Sequence, residues 1–130
     1  MLSTMASSIA KHSSVLVVED EDDIRAAIAE ILESEGYEVT IATNGREAME
    51  ELSDVRYVPR LILLDLMMPE MNGHEFLARR QAIPRLRNVP VMVLTAVTTD
   101  IPPGANGLLR KPFSVEELLD AVRSMLPIAA

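Results

Sequence analysis

The stretch that decides the fold is Leu61-Ile62-Leu63-Leu64-Asp65, followed directly by Leu66-Met67-Met68-Pro69-Glu70-Met71-Asn72-Gly73. A short apolar run bounded by a turn signal predicts a strand that is buried on both faces. Asp65 then lies at the carboxyl end of that strand, where open α/β sheets form their binding crevices. Its carboxylate is a candidate for chemistry, although a residue that only ends the strand or caps the next helix is the simpler interpretation.

Three other apolar runs, at residues 15–18, 91–94 and 108–109, are also followed by polar residues. The carboxyl ends of parallel strands lie on one edge of a sheet, so the side chains that follow these runs should converge with Asp65. The residues concerned are Glu19, Asp20, Thr95 and Lys111. We therefore expect three carboxylates, a hydroxyl and an ammonium group at one edge.

Helical patterns separate these strands. Apolar residues recur at helical spacing from Ile24 to Leu32, and Gly36 supplies a stop. Residues 37–42 alternate as a second strand, and further helices are predicted over 46–53, 73–82 and 114–126. The last of these begins with Ser114-Val115-Glu116-Glu117, a capping box. Strands that alternate with helices predict a parallel sheet covered on both sides.

The segment between Thr95 and Gly107 is short for a crossover connection. Parallel strands are generally joined by a dozen or more residues that include a helix, but only residues 96–106 are available and Pro102-Pro103 interrupts them. We expect the fourth helix to be shortened or absent. The domain is predicted over residues 14–127, with a flexible N-terminal tail at 1–13 and a C-terminal tail at 128–130.

Length and composition exclude several classes of protein. The chain has 130 residues, no cysteine and a net charge of -8. One domain is expected, without disulfides or a structural zinc site, and the absence of cysteine fits a cytoplasmic protein. The negative charge argues against direct nucleic-acid binding. The arginines at 79, 80, 85 and 87 are interpreted as a solvated helix end.

Membrane association is not expected either. No apolar stretch approaches the roughly 18 residues that are needed to span a bilayer. Residues 1–14 include several serines and one lysine without a continuous apolar region, so they do not resemble a secretory signal.

Four motifs follow one another along the chain. They are Val15-Leu16-Val17-Val18-Glu19-Asp20-Glu21, then Asp65 with Met68-Pro69 and Gly73, then Thr95-Ala96, and finally Lys111-Pro112-Phe113. The order and spacing of these motifs resemble the receiver domain of bacterial two-component response regulators, and the likeness covers about residues 14–126.

The resemblance implies a flavodoxin-like, doubly wound, five-stranded parallel sheet. It implies an acidic pocket that binds Mg²⁺ and takes a phosphoryl group from a sensor histidine kinase or a histidine phosphotransfer protein. Asp65 would be the phosphoacceptor, Asp20 a direct metal ligand and Glu19 a ligand through water. The backbone carbonyl of Met67 would complete the protein ligands.

Two further roles follow from the same resemblance. Thr95 would bond one phosphoryl oxygen and Lys111 would pair with another. The Lys111-Pro112 peptide would be cis, a state that is common only before proline.

Elementary electrostatics agrees with these implied roles. Two carboxylates a few ångströms apart repel each other by about 1 kcal/mol in bulk water, and by more in a less polar site. A divalent cation is the natural occupant of such a cluster, and oxygen ligands without imidazole or thiolate favour Mg²⁺ over zinc.

The chain departs from the family pattern at Leu108 and in the short segment after Thr95. The family usually has tyrosine or phenylalanine three residues before the lysine, where this chain has Leu108. The usual aromatic response to phosphorylation is therefore missing. The surface that many receivers use for dimerisation or output should also be remodelled.

Three functions remain open at this point. The first is a stand-alone phosphoacceptor, a monomer or weak dimer that acts on an unknown output protein. The second is a degenerate receiver that binds partners regardless of phosphate. The third, a phosphohydrolase of the haloacid dehalogenase type, usually has a second acid two residues after the nucleophile, where this chain has Met67. The sequence lacks the central glycine and distal glutamate of an EF-hand loop. It also lacks the glycine-rich loop after the first strand that a Rossmann nucleotide site requires.

Overall fold

Strands and helices alternate along the part of the chain that the computed structural model describes, residues 14–68 and 71–126. The strands in these ranges are β1 (Ser14–Val18), β2 (Glu38–Ala42), β3 (Leu61–Asp65), β4 (Val91–Thr95) and β5 (Gly107–Arg110). The helices are α1 (Asp22–Ser34), α2 (Gly45–Leu52), α3 (Gly73–Gln81) and α4 (Val115–Met125). None of these helices has the length and apolar character needed to cross a membrane. Both predicted tails, 1–13 and 128–130, lie outside the described residues.

The five strands form one parallel sheet in the order β2-β1-β3-β4-β5. The chain winds outward from β1 to β2, and then crosses back to β3 and continues in the other direction. This reversal between β1 and β3 is a topological switch point, the place where open α/β sheets bind ligands. The predicted doubly wound, five-stranded fold is confirmed.

A separate apolar core covers each face of the sheet, because alternate strand residues point to opposite sides. On one face, Leu16, Ile62 and Val93 pack with Phe76 of α3. On the other face, strand residues pack with Ile28 of α1 and Leu118 of α4. These helices cover the three central strands on both faces, and this packing positions the residues at the strand ends.

No helix forms between β4 and β5, as predicted from the short connection. In place of a helix, hydrogen bonds of Asn106 attach this connection to the start of β4. Its side-chain oxygen accepts from the Val91 N–H at 2.9 Å, and its own N–H donates to the Val91 carbonyl at 2.8 Å. Ala105 packs against the core on the same side.

The interpretation of the arginine cluster as a solvated helix end is wrong for Arg80. This residue is only 2% exposed. Its guanidinium donates to the carbonyls of Gly104 at 3.1 Å and Arg87 at 3.0 Å, and also to the Val89 carbonyl. Arg85 is also engaged, since it donates to the Leu52 carbonyl at 2.6 Å. Arg80 thus ties the helix-free segment to α3.

Candidate functional site

Polar side chains from β1, β3 and β4 meet at the carboxyl edge of the sheet. Asp65 is the last residue of β3 and pairs in register with Leu94, next to Thr95 at the end of β4. Glu19 directly follows β1, and its N–H donates to the Ala42 carbonyl at 3.1 Å, which extends the pairing with β2. The register therefore places the predicted site residues at the switch point.

The structure brings together the three predicted carboxylates. One side-chain oxygen from each of Glu19, Asp20 and Asp65 lies within 4.8 Å of the other two. Glu19 is fully buried and Asp65 is 4% exposed, whereas Asp20 is partly exposed. The donor set contains only carboxylate oxygens, which are hard ligands suited to Mg²⁺. The residues present therefore fit the predicted metal.

Lys111 supplies the positive charge of this site. Its Nζ lies 2.7 Å from Glu19 Oε1 and 3.6 Å from Asp65 Oδ2, and the side chain is 14% exposed. Burial alone would lower the pKa of Lys111, but the contact with Glu19 and the charges of Asp65 and Glu21 outweigh it and raise the pKa. The side chain therefore stays charged. One ammonium does not balance three carboxylates.

Asp65 is strongly perturbed by its surroundings. Burial, followed by the hydrogen bond and charge of Glu19, raises the pKa of Asp65 to about 7. The N–H of Met67, which donates to Asp65 Oδ1 at 3.1 Å, opposes this rise. A cation in the cluster would favour the ionised form of the carboxyl group. Binding of a cation here would therefore favour release of the Asp65 proton.

Thr95 is buried, and neighbouring residues fix both its side chain and its backbone. Its Oγ1 accepts from the Val97 N–H at 3.1 Å, and its carbonyl accepts from the Lys111 N–H at 2.8 Å. The Lys111-Pro112 peptide is cis, as the resemblance implies. The roles of Thr95 toward a phosphoryl group and of the Met67 carbonyl toward a metal remain predictions.

Arg25 was not recognised as part of the site from the sequence. Its Nη1 donates to the Glu19 carbonyl at 3.0 Å, and its Nη2 lies 2.6 Å from Asp22 Oδ1. The i,i+3 spacing of Asp22 and Arg25 on α1 predicts only the ordinary surface pair. The contact with Glu19 depends on how the loop before α1 folds back, which no local pattern indicates.

An apolar groove with a volume of about 610 Å³ borders the site. It lies between α1 and the start of α4, and Lys111 is one of its lining residues. Its apolar lining includes Ile24, Ala27, Ile31, Pro112, Phe113 and Val115. One residue of this surface could be noticed in the sequence, because Val115 is apolar and directly follows the helix cap Ser114. In the structure Val115 is the first residue of α4 and is 51% exposed.

Known proteins share both this fold and this sequence pattern. Residues 15–123 match the family model of the response regulator receiver domain. The chain is 38% identical over 120 residues to the transcriptional regulatory protein CpxR homolog of Haemophilus influenzae, with 88% of this chain and 50% of that protein covered. It therefore spans about half the length of that relative.

Two other relatives are similar in length to this chain. The sporulation initiation phosphotransferase F of Bacillus subtilis is 33% identical over 123 residues, which cover 90% of this chain and 96% of that protein. The chemotaxis response regulator CheY4 of Vibrio cholerae superposes with a TM-score of 0.79 at 32% identity, covering 88% of this chain and 98% of that one. Because the family match spans the clustered carboxylates and the lysine beside them, the chain belongs to the response regulator receiver domain family and shares its phosphoacceptor role in two-component signalling.

Proposed function

We propose that Asp65 is the residue that accepts the phosphoryl group, with Mg²⁺ held by Glu19, Asp20, Asp65 and the Met67 carbonyl. The observation that carries this proposal is the cluster of three carboxylate oxygens within 4.8 Å, with the Lys111 ammonium beside it. A cluster that serves only to cap α1 would not need a buried carboxylate from β3.

The donor is a phosphohistidine on a sensor histidine kinase or a histidine phosphotransfer protein. An oxygen of Asp65 attacks phosphorus, the phosphorus–nitrogen bond breaks, and the product is an acyl phosphate. When bound by these residues, Mg²⁺ would supply charge neutralisation for the transferring group. Lys111 pairs with one phosphoryl oxygen, and the Thr95 hydroxyl, whose oxygen accepts from the Val97 N–H, donates its hydrogen to another. This self-catalysed transfer, and the later loss of phosphate, are the only reactions proposed.

The apolar groove between α1 and α4 is proposed to dock the donor protein. A partner that presents a phosphohistidine to Asp65 must contact the surface next to it, and Lys111, which lies 3.6 Å from Asp65 Oδ2, also lines the groove. The exposed carboxylates of Glu21, Asp22 and Asp23 border the same end of α1 and favour a partner with basic residues there.

The output is proposed to pass to another protein rather than directly to nucleic acid, because the net charge is -8. A cytoplasmic location and a monomeric or weakly dimeric state remain predictions. Fractionation of cells tests the location, and sedimentation tests the oligomeric state.

Labelling with a small phosphodonor tests the assignment of Asp65. Incubation with acetyl phosphate and Mg²⁺ should add one phosphoryl group, which mass spectrometry of the borohydride-reduced protein locates at Asp65. Asp65→Asn should abolish the label, because an amide oxygen is a far weaker nucleophile. Asp120→Asn is the matched control, since Asp120 is 79% exposed on α4, and should label normally.

The same experiment separates the alternatives. Uptake of phosphate by Asp65→Asn would remove the assignment. No labelling of the wild-type chain, together with retained partner binding, would favour the degenerate receiver. Sustained release of phosphate from a phosphomonoester would favour the phosphohydrolase.

A further inference from the structure

Arg25 connects α1 to the loop that carries two of the clustered carboxylates. Its side chain is 13% exposed, so the guanidinium lies mostly inside the protein. Nη1 donates to the carbonyl of Glu19 at 3.0 Å, and Nη2 lies 2.6 Å from Asp22 Oδ1. One planar group therefore holds the loop on one side and the first turn of α1 on the other.

The other polar groups of Glu19 already have partners. Its N–H donates to the Ala42 carbonyl at 3.1 Å, and its Oε2 accepts from the Glu21 N–H at 3.2 Å. The Glu19 carbonyl, in a residue that is 0% exposed, accepts from Arg25. A buried carbonyl that loses its donor is costly, so the loop would shift to find another partner. Such a shift would move both the Glu19 and Asp20 carboxylates.

The charge of Arg25 does not by itself favour this location. A fixed positive charge near a cation site repels the cation, so Coulomb interaction alone would weaken metal binding. The bidentate geometry of a guanidinium, which a lysine cannot reproduce, gives a reason for arginine at this position. The contact therefore serves to hold the loop rather than to supply charge.

We infer that Arg25 is a positioning residue for the Mg²⁺ site, which fixes the loop so that the Glu19 and Asp20 carboxylates face Asp65. This inference rests on the proposed function, because it requires the carboxylate cluster to bind Mg²⁺. Groups that orient metal ligands from outside the coordination sphere typically contribute substantially to metal affinity.

Titration calorimetry of Arg25→Met with Mg²⁺ tests this inference. Methionine retains an unbranched apolar side chain but removes the guanidinium. Mg²⁺ affinity should fall by about tenfold. Arg123→Met is the matched control with the same change in charge, since Arg123 is 49% exposed and pairs with Glu35 at 2.8 Å on the protein surface. Its affinity should equal that of the wild-type chain.

Whether Mg²⁺ affinity falls or rises in Arg25→Met distinguishes a positioning role of Arg25 from a simple effect of its charge. Unchanged or tighter Mg²⁺ binding by Arg25→Met would overturn the inference, since removing a nearby positive charge should by itself tighten binding. Arg25→Lys keeps the charge but cannot hold the Glu19 carbonyl and Asp22 in the same forked geometry, so its affinity should be intermediate. Wild-type affinity in Arg25→Lys would also overturn the inference, and this variant decides the question if Arg25→Met does not fold.

A second measurement needs no metal. In ¹H–¹⁵N spectra of the metal-free protein, the Glu21 amide reports the loop because it donates to Glu19 Oε2. Its resonance should move in Arg25→Met and stay in place in Arg123→Met. An unmoved Glu21 amide in Arg25→Met would contradict the positioning role.

Asp20→Asn distinguishes failure of the inference from failure of the proposed site. If the wild-type chain binds no Mg²⁺, or Asp20→Asn binds it equally well, the proposed metal site fails and the inference fails with it. If Asp20→Asn weakens binding and Arg25→Met does not, only the inference about Arg25 fails.

Discussion

At the scale of single residues, the burial of Asp65 disfavours ionisation of its carboxyl group. The side chain is 4% exposed and faces Glu19, and both effects favour the protonated carboxyl group. Burial of the ionised carboxylate beside Glu19 therefore destabilises the metal-free protein at neutral pH.

The pH dependence of the free energy of unfolding should reveal the destabilising effect of the buried Asp65 carboxylate. The pKa of Asp65 is about 7 in the folded protein and near 3.8 in an unfolded chain. Between these pH values the folded protein binds more protons at Asp65 than the unfolded chain does. The contribution of Asp65 to the free energy of unfolding therefore falls as pH rises from about 4 to 7. Asp65→Asn should therefore stabilise the metal-free protein by about 1–3 kcal/mol at pH 8 and by much less at pH 4.

Urea unfolding in EDTA at several pH values measures this difference. Asp120→Asn serves as the control again, and its stability relative to wild type should vary little with pH. A constant gain for Asp65→Asn from pH 4 to pH 8 would show that Asp65 ionises normally in the folded state.

At the scale of secondary-structure elements, the connection from β4 to β5 is held by side chains in place of a helix. Arg80 reaches from α3 to the Gly104 carbonyl in that connection, and to the carbonyls of Arg87 and Val89 before β4. The burial of this guanidinium lowers the pKa of Arg80 without removing its charge. The segment is therefore fastened to the core at a defined point.

Arg80→Met should destabilise the protein by about 2–4 kcal/mol, because it leaves the buried Val89 carbonyl and the part-buried carbonyls of Gly104 and Arg87 without this donor. Arg79→Met is the matched control on the same helix, since Arg79 is exposed and should change stability little. Chemical denaturation of both variants gives the comparison. Equal stability of the two variants would mean that solvent readily replaces the Arg80 contacts.

The sequence predicted the strands well because each central strand is buried on both faces and appears as an unbroken apolar run. It predicted the position of Glu19, Asp65 and Thr95 at one edge of the sheet for a related reason, since these residues directly follow or end such runs and parallel strands align their ends. Arg80 carried a usable signal that was overlooked: it lies four residues after Phe76, on the buried face of α3. Arg25 carried no comparable signal, because its partner at Glu19 is set by the path of a loop.

At the scale of the whole molecule, the site is built where the three middle strands end, so ligand binding should affect global unfolding. A ligand that binds only the folded state at 100 times its dissociation constant adds about 2.7 kcal/mol of stability. Mg²⁺ should raise the melting temperature at pH 8, and EDTA should reverse the change. The gain should be smaller at pH 6, where a proton on Asp65 competes with the metal.

Differential scanning calorimetry checks this prediction. Asp20→Asn should lose most of the gain from Mg²⁺, while Asp120→Asn should keep it. A full gain in Asp20→Asn would place the stabilising ion elsewhere on the protein.

Lys111 spans the strand that carries Asp65. Its backbone N–H is bonded to Thr95 at the end of β4, and its ammonium touches Glu19 after β1. Lys111 therefore links the end of β4 to the residue that follows β1, across the carboxyl end of β3. Both contacts together hold these strand ends at a fixed separation. An anionic group that draws the ammonium away from Glu19 would break one of these two contacts, and Lys111 would then link that group to the end of β4 through its backbone N–H.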